Sequence, residues 1–281
     1  MKSGPSIHLD KEKMIVDAYF DAESSYWNEL YQNSDVFGII HQQRRTLAMK
    51  YFDELSLPRE SRILEVGCGA GLTTVDLAQR GYTIEAIDRV KTMIDLTCRN
   101  ALKSGVENRV KANVGDIHHL AFPDNAFGCV IALGVTPWLT DLNAALREIY
   151  RVLVPGGYAI INGDNRYRLN HLLDPVLMPA LAGLKEILRR LLEKMNWRKP
   201  SNEPPCYMYT IKEFNHFLAS SKLVSIKHSM IGFGPFSFLK YQLFPDSTGV
   251  KLHQCLQRFA DRGYAVLRST GSQFLVLAMK T

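Results

Sequence analysis

The order of elements along the chain predicts an α/β fold: a doubly wound parallel sheet of seven strands with helices on both faces, a helical cap before it and two accessory insertions within it. Three observations carry this expectation. From Arg62 onward, short β-rich runs end in turn residues, and each is followed by a stretch with apolar residues three or four apart. That alternation builds parallel sheets through helical crossovers. The first run also passes straight into a glycine-rich turn, Gly67-Cys68-Gly69-Ala70-Gly71, and two later gaps exceed ordinary loop lengths, so each must carry structure of its own.

Residues 1–60 form the cap, in which 14–55 reads as helices bearing an aromatic cluster of Tyr19, Phe20, Tyr26, Trp27 and Tyr31. The sheet domain spans 61–163 and 210–281. Its strands are predicted at 62–66, 83–87, 110–113, 129–133, 158–162, 223–230 and 273–279, and helices at 72–80, 91–104, 141–152 and 211–221 fill the intervals. The gap 164–209 holds many leucines at helical spacing, with Pro175 and Pro179 breaking the early part and Lys185, Arg189, Arg190, Lys194, Arg198 and Lys199 toward its end. It reads as a helical lid over the sheet, or as a basic amphipathic helix making peripheral membrane contact. The second gap, 231–272, opens with Ile231-Gly232-Phe233-Gly234-Pro235-Phe236-Ser237-Phe238, whose aromatic residues would line an apolar pocket or pack an irregular loop.

A chain of 281 residues with 46% hydrophobic content is ample for one large core. The segment before Met14 is charged and cannot act as a secretory leader, and no run approaches the roughly 20 apolar residues needed to span a bilayer. A cytoplasmic location is therefore expected. Five scattered cysteines without C-x-x-C spacing argue against a disulfide framework or zinc site, and no metal is expected. The net charge of +6 is modest and undirected by any dense basic block.

Gly67 and Gly69 allow the backbone to approach a ligand, and the following helix points free N–H groups toward it. Asp88 closes the next strand, where an acid can accept both hydroxyls of a ribose. A dinucleotide and an adenosyl sulfonium both fit that much. The glycines, however, run G-x-G-x-G rather than G-x-G-x-x-G, and Glu65 beside them would repel a pyrophosphate while suiting an amino-acid ammonium. Charge favours the cationic ligand.

Downstream come Gly115-Asp116-Ile117, then Phe122-Pro123-Asp124-Asn125-Ala126-Phe127, then Arg151-Val152-Leu153-Val154-Pro155-Gly156-Gly157. With Glu65-x-Gly67-x-Gly69-x-Gly71 and Asp88, this ordered set resembles the class I, Rossmann-like S-adenosylmethionine-dependent methyltransferases over residues 61–162. The resemblance implies S-adenosyl-L-methionine as cofactor. It places Glu65, Gly67 and Gly69 under the methionine moiety, Asp88 on the ribose, Met93 on the adenine, Asp116 and Ile117 at the adenine amino group and ring, and Leu133 with Gly134 beside the methionine. The segment from Tyr19 to Arg44 resembles, more loosely, the cap helix of small-molecule enzymes such as the magnesium-protoporphyrin O-methyltransferases, which implies that Tyr31 and Arg44 close over the methionine carboxylate and sulfonium. Those enzymes carry a histidine after the fourth strand where this chain has Thr136-Pro137-Trp138.

Methyl transfer is an in-line displacement that chiefly requires positioning, with a general base where the acceptor is a hydroxyl or ammonium. The sequence names no base; His118 and His119 follow the adenine-binding acid, and His171, His216 and His228 lie in the accessory or late regions, where a lone histidine is more often structural than catalytic. The turn Gly134-Val135-Thr136-Pro137-Trp138 matches neither the Asp/Asn-Pro-Pro-Tyr/Phe pattern of exocyclic base-amine methylation nor a Pro-Cys nucleophile. The expected acceptor is thus a small, lipophilic or aromatic molecule. RNA or protein is the alternative, and a nicotinamide oxidoreductase a distant third.

Overall fold

The computed structural model describes residues 5–175, 177–181, 183, 204–239 and 241–281. Its sheet contains β1 (Arg62–Val66), β2 (Thr83–Asp88), β3 (Val110–Val114), β4 (Phe127–Ala132), β5 (Leu153–Asp164), β6 (Leu223–Ile231) and, after a short hairpin of β7 (Ser237–Phe238) and β8 (Tyr241–Gln242), β9 (Gln273–Lys280). The seven strands lie in the order β3-β2-β1-β4-β5-β9-β6. Strands β1 to β5 pair in parallel, as expected from the crossovers. The last strand does not: β9 inserts between β5 and β6 and is antiparallel to both. The reason is where its connection runs. Ile231 ends β6 opposite Gln273, and Asp164 ends β5 opposite the same residue, so the segment between β6 and β9 leaves and returns at the carboxyl edge without crossing the sheet.

Side chains alternate between the two faces of the strands. Leu64, Val130, Ala159 and Val276 pack with Leu146, Ile149 and Phe214 on one side. Ile63, Ile131, Ile160 and Leu275 pack with Met49, Phe52 and Leu77 on the other. Helices α1 (Pro5–Ala22), α2 (Ser24–Glu29) and α3 (Val36–Glu54) make up the cap; α4 (Leu72–Gln79), α5 (Lys91–Lys103) and α6 (Leu142–Val152) are the crossovers. Local chemistry sets several starts. Asp35 accepts from Gly38 N at 2.7 Å to begin α3, and Asp141 accepts from Ala144 N at 2.9 Å to begin α6. The cap begins well before Met14, the first residue of the predicted helical region.

Of the first insertion, α7 (Leu169–Leu173) and a 3-10 turn at Pro179–Leu181 are seen; the leucine- and lysine-rich part that suggested a lid or membrane helix lies outside the described residues. Helix α8 (Ile211–Ser220) follows, started by a Thr210–Glu213 capping box. The second insertion contains α9 (Asp246–Asp261) and α10 (Leu267–Thr270). No described helix is long and apolar enough to cross a membrane.

The order reverses between β1 and β4, since the chain runs outward to β3 and then returns to the other side of β1. Such a switch point opens a crevice at the carboxyl ends of the two strands, where ligands of open α/β sheets bind.

Candidate active site

The crevice is floored by the turn after β1. Gly67 N and Cys68 N both donate to Ile87 O, at 2.7 and 3.1 Å, while Thr97 and Asn100 of α5 donate to Gly69 O and Ala70 O at 2.9 and 2.8 Å. Gly67 has φ +67°, and a Cβ there would stand 2.4 Å from Val135 Cγ2. Gly69 has φ +54°, and a Cβ on it would meet no protein atom within 4 Å, because the space above it is cavity. Across the turn, Asp88 accepts from Gly69 N at 3.0 Å and Val90 N at 2.9 Å. Burial pushes its pKa up while those amides oppose the rise. A carboxylate has about four lone-pair sites, so two remain for a ligand.

Glu65, 3% exposed, faces α4 and accepts from the Thr74 hydroxyl. Burial pushes its pKa up to about 7, against the opposing effects of Thr74, Arg45 and Thr73. The acid is therefore partly protonated near neutrality and would regain its charge beside a cation.

Arg44 is a buried cation, 5% exposed, on the inward face of α3. One guanidinium nitrogen reaches Tyr31 Oη at 3.2 Å, Nε has no partner, and a Cβ at Gly134 would sit 3.3 Å from the group. It pairs with no carboxylate among the described residues. A buried guanidinium with open donors is chemically a seat for an anion. Leu133 and Gly134 continue this wall, the latter's N–H donating to Asn162 Oδ1 at 2.5 Å. Met93 and Ile117 are almost fully buried and line the opposite side.

Asp116 is placed differently from its sequence-predicted neighbours and is absent from the cavity lining. One carboxylate oxygen accepts from Lys13 and Arg89, each at 2.9 Å, and the other from His118 N at 3.0 Å and the His118 ring at 2.6 Å. Burial would raise its pKa, but His118 and Lys13 outweigh it and hold the carboxyl well below the usual range. The sequence order could not show this, because Lys13 arrives from α1. The same Arg89 binds Asp17 through two nitrogens, at 2.9 and 2.7 Å, so α1 is strapped over the crevice.

These groups share one cavity of about 710 Å³. Its far wall is aromatic. Phe20 lies 5.3 Å from Trp138 and 5.4 Å from Trp27, and His41 lies tilted 4.2 Å from Phe37 and edge-on 6.0 Å from Trp27, between ring centroids. Neither His118, His119, His171, His216 nor His228 lines the cavity, whereas His41 does. The only sequence cue to it is its place three residues before Arg44 on one helix. Asn170, Gln273 and the Arg168–Asp164 pair, 2.8 Å apart, also reach the cavity unforeseen. In the second insertion, Phe233 and Phe236 pack against Ala260, Leu169, Leu252 and Leu256 instead of lining the pocket. Gln257 and His253 hold the loop by accepting from Gly232 N and Phe233 N at 3.0 and 3.1 Å, leaving Gly234 and Pro235 to face the cavity.

Residues 64–161 match the family model described as a methyltransferase domain. Those residues form a methyltransferase domain. Among curated proteins, the chain is 31% identical over 105 residues to the sterol 24-C-methyltransferase erg-4 of Neurospora crassa, covering 37% of this chain and 28% of that protein. It is 26% identical over 177 residues to the ubiquinone biosynthesis O-methyltransferase of Rickettsia prowazekii, covering 61% and 67%. The chain thus spans under a third of the sterol 24-C-methyltransferases it matches. Among solved structures, the fold resembles magnesium protoporphyrin IX methyltransferase from Synechocystis PCC 6803 with bound SAH, with TM-score 0.64, 15% identity and coverage of 96% and 100%. It also resembles the cyclase SpnF, with TM-score 0.61, 17% identity and 94% coverage of both chains. At such identities the likeness establishes the fold that surrounds the methyltransferase domain and leaves the reaction to be argued from the site.

Proposed function

We propose that the chain transfers a methyl group from S-adenosylmethionine to a small, largely apolar acceptor. One observation carries the reading: an anion seat at Arg44, a ribose-type acid and a glycine-rich turn open into the same cavity as an aromatic wall. The residues present fit the cofactor. Arg44 and Tyr31 would hold its carboxylate, Glu65 would act toward its ammonium, Asp88 would accept the ribose hydroxyls, and Met93 and Ile117 would cover the adenine, with Leu133 beside the methionine chain. Asp116 serves in this reading through Arg89 and Lys13, tying the cap to the adenine edge, and not as an adenine acceptor.

The cofactor supplies an activated methyl; the protein's part is to align an acceptor against it and exclude water. The cavity volume falls in the range of roughly 300–1,000 Å³ common for small-molecule sites. Arg89 and Arg168 on its wall are each paired with a carboxylate, and Arg44 is committed to the cofactor carboxylate in this reading, so no arginine of the described lining is left to track an RNA backbone. The names of the relatives, sterol and ubiquinone-precursor methyltransferases, support a lipophilic acceptor. A cytoplasmic location belongs to the same reading, supported by five cysteines that are all free. Calorimetry tests the proposal: S-adenosylhomocysteine should bind and nicotinamide dinucleotides should not, and the reverse result would overturn it.

A further inference from the structure

Among the buried or half-buried acids and bases that line the cavity, most are already committed. Asp17 is paired with Arg89, Asp164 with Arg168, Glu65 accepts from Thr74, and Asp88 holds two backbone amides. His41 is the exception. It is 4% exposed, and its Nδ1 lies 2.8 Å from Phe37 O. A carbonyl cannot donate, so Nδ1 must carry the proton, and the tautomer leaves Nε2 with a lone pair. No described group bonds to Nε2, and it is not among the sealed polar atoms of the interior, so the lone pair is open to the cavity.

We propose that His41 is the catalytic base on the acceptor side and that the acceptor presents a hydroxyl to its Nε2, so that methylation occurs on oxygen. The inference rests on the methyltransferase reading above. In the step, the acceptor oxygen forms its bond to the methyl carbon as the S–CH3 bond breaks and its electron pair stays on sulfur. The hydroxyl proton moves to Nε2, and the imidazolium then returns it to water. The positive charge of the sulfonium thus leaves as that proton.

The surroundings suit this role. Burial, with the Arg44 guanidinium adding to it, pushes the His41 pKa down to about 3 against the Phe37 hydrogen bond. The ring is therefore neutral throughout the physiological range and does not place a second cation beside a sulfonium. Weak basicity is enough for a late proton transfer, because an oxygen acquiring a methyl group becomes strongly acidic as the donor bond breaks. An anion seated on Arg44 would also cancel one of the two causes of the low pKa, so cofactor binding raises the basicity of His41 at the stage where it is needed. Its described ring contacts are Tyr31, 6.5 Å away between centroids, and the neutral Trp27 and Phe37. An aromatic wall that carries an open imidazole nitrogen suits an apolar ring that carries a hydroxyl.

The test compares 4-hexylcatechol with its dimethyl ether, which has the same apolar body and no donor, on wild-type protein and on His41→Asn. The asparagine amide can replace the Nδ1–H bond to Phe37 O yet places nothing at Nε2, and His41→Gln, which does reach the Nε2 position, provides a second variant. With S-adenosylhomocysteine bound, the catechol should bind wild type at least tenfold more tightly than the ether, and the preference should vanish in His41→Asn and return in part in His41→Gln. With labelled S-adenosylmethionine, His41→Asn should lose about 100-fold in kcat on the catechol with KM little changed, within the range for removing a general base. Equal binding of catechol and ether, a preference that survives in His41→Asn, failure of the cofactor-loaded wild type to methylate the catechol, or a tenfold loss of S-adenosylhomocysteine affinity in both variants would each overturn the proposal. Absence of S-adenosylhomocysteine binding in the wild type would instead overturn the methyltransferase reading itself.

Discussion

Replacing Glu65 by glutamine should abolish one component of the pH dependence of stability. The acid titrates near 4.5 when unfolded and at about 7 in the folded chain, chiefly because burial disfavours its charged form. Between those values the native state binds the proton that the unfolded state has lost, so wild-type stability falls as pH rises through the window. The interval from 4.5 to about 7, at about 1.4 kcal/mol per pH unit, corresponds to an upper limit of about 3 kcal/mol. Glutamine keeps an acceptor for the Thr74 hydroxyl and cannot ionise. The stability difference between Glu65→Gln and wild type should therefore move in favour of the mutant by up to about 3 kcal/mol from pH 4.5 to pH 8, with the change concentrated between 4.5 and 7. Urea titrations at half-unit pH steps without cofactor read this directly, and subtracting the two proteins removes contributions from other titrating groups. A difference that stays flat across the window would show that Glu65 is not a buried, proton-binding acid. In wild type, cofactor binding at pH 7 should also release a proton, visible as a dependence of the calorimetric heat on the ionisation enthalpy of the buffer.

Further outcomes follow from the same geometry. Asp88→Ala should weaken S-adenosylhomocysteine binding by about 1.5–3 kcal/mol, the range for losing hydrogen bonds to a charged group, in a chain that remains folded; an unchanged dissociation constant would remove Asp88 from the ribose role. Gly67→Ala should lower stability by about 1–3 kcal/mol, because its Cβ would stand 2.4 Å from Val135 Cγ2 on a left-handed backbone, and a neutral result in urea melts would contradict the tight turn. Asp17→Asn removes one of the two carboxylate partners of Arg89 on a partly exposed strap, so cofactor release in stopped flow should quicken by no more than about fivefold, with the wild-type rate rising toward it at high salt. A salt-insensitive wild-type rate would mean that α1 does not gate the crevice through these charges.

The sequence by itself determined the seven strands, the glycine-rich turn, the acid at Asp88 and the family of the domain, because these depend on local signals. Strand and helix periods, turn glycines and the spacing of short motifs are all written within about 30 residues of one another. It also marked Tyr31 and Arg44, though only by likeness to a cap helix. Three things were decided by the tertiary structure. The direction of β9 depended on where the segment between β6 and β9 leaves and returns, which no local pattern encodes. The surroundings of Asp116 depended on Lys13 and Arg89 converging on one carboxylate from distant positions, and its charge was satisfied before any ligand was considered. His41 became a candidate only once its Nδ1 was seen bonded to Phe37 O and its neighbours were seen to be aromatic, for the sequence shows that a histidine is present but not which nitrogen is free. A motif can specify the chain's own turn and the ligand edge that the turn touches. Whether a lone side chain is committed or available depends on partners brought in by the fold, and that is a property of three-dimensional packing.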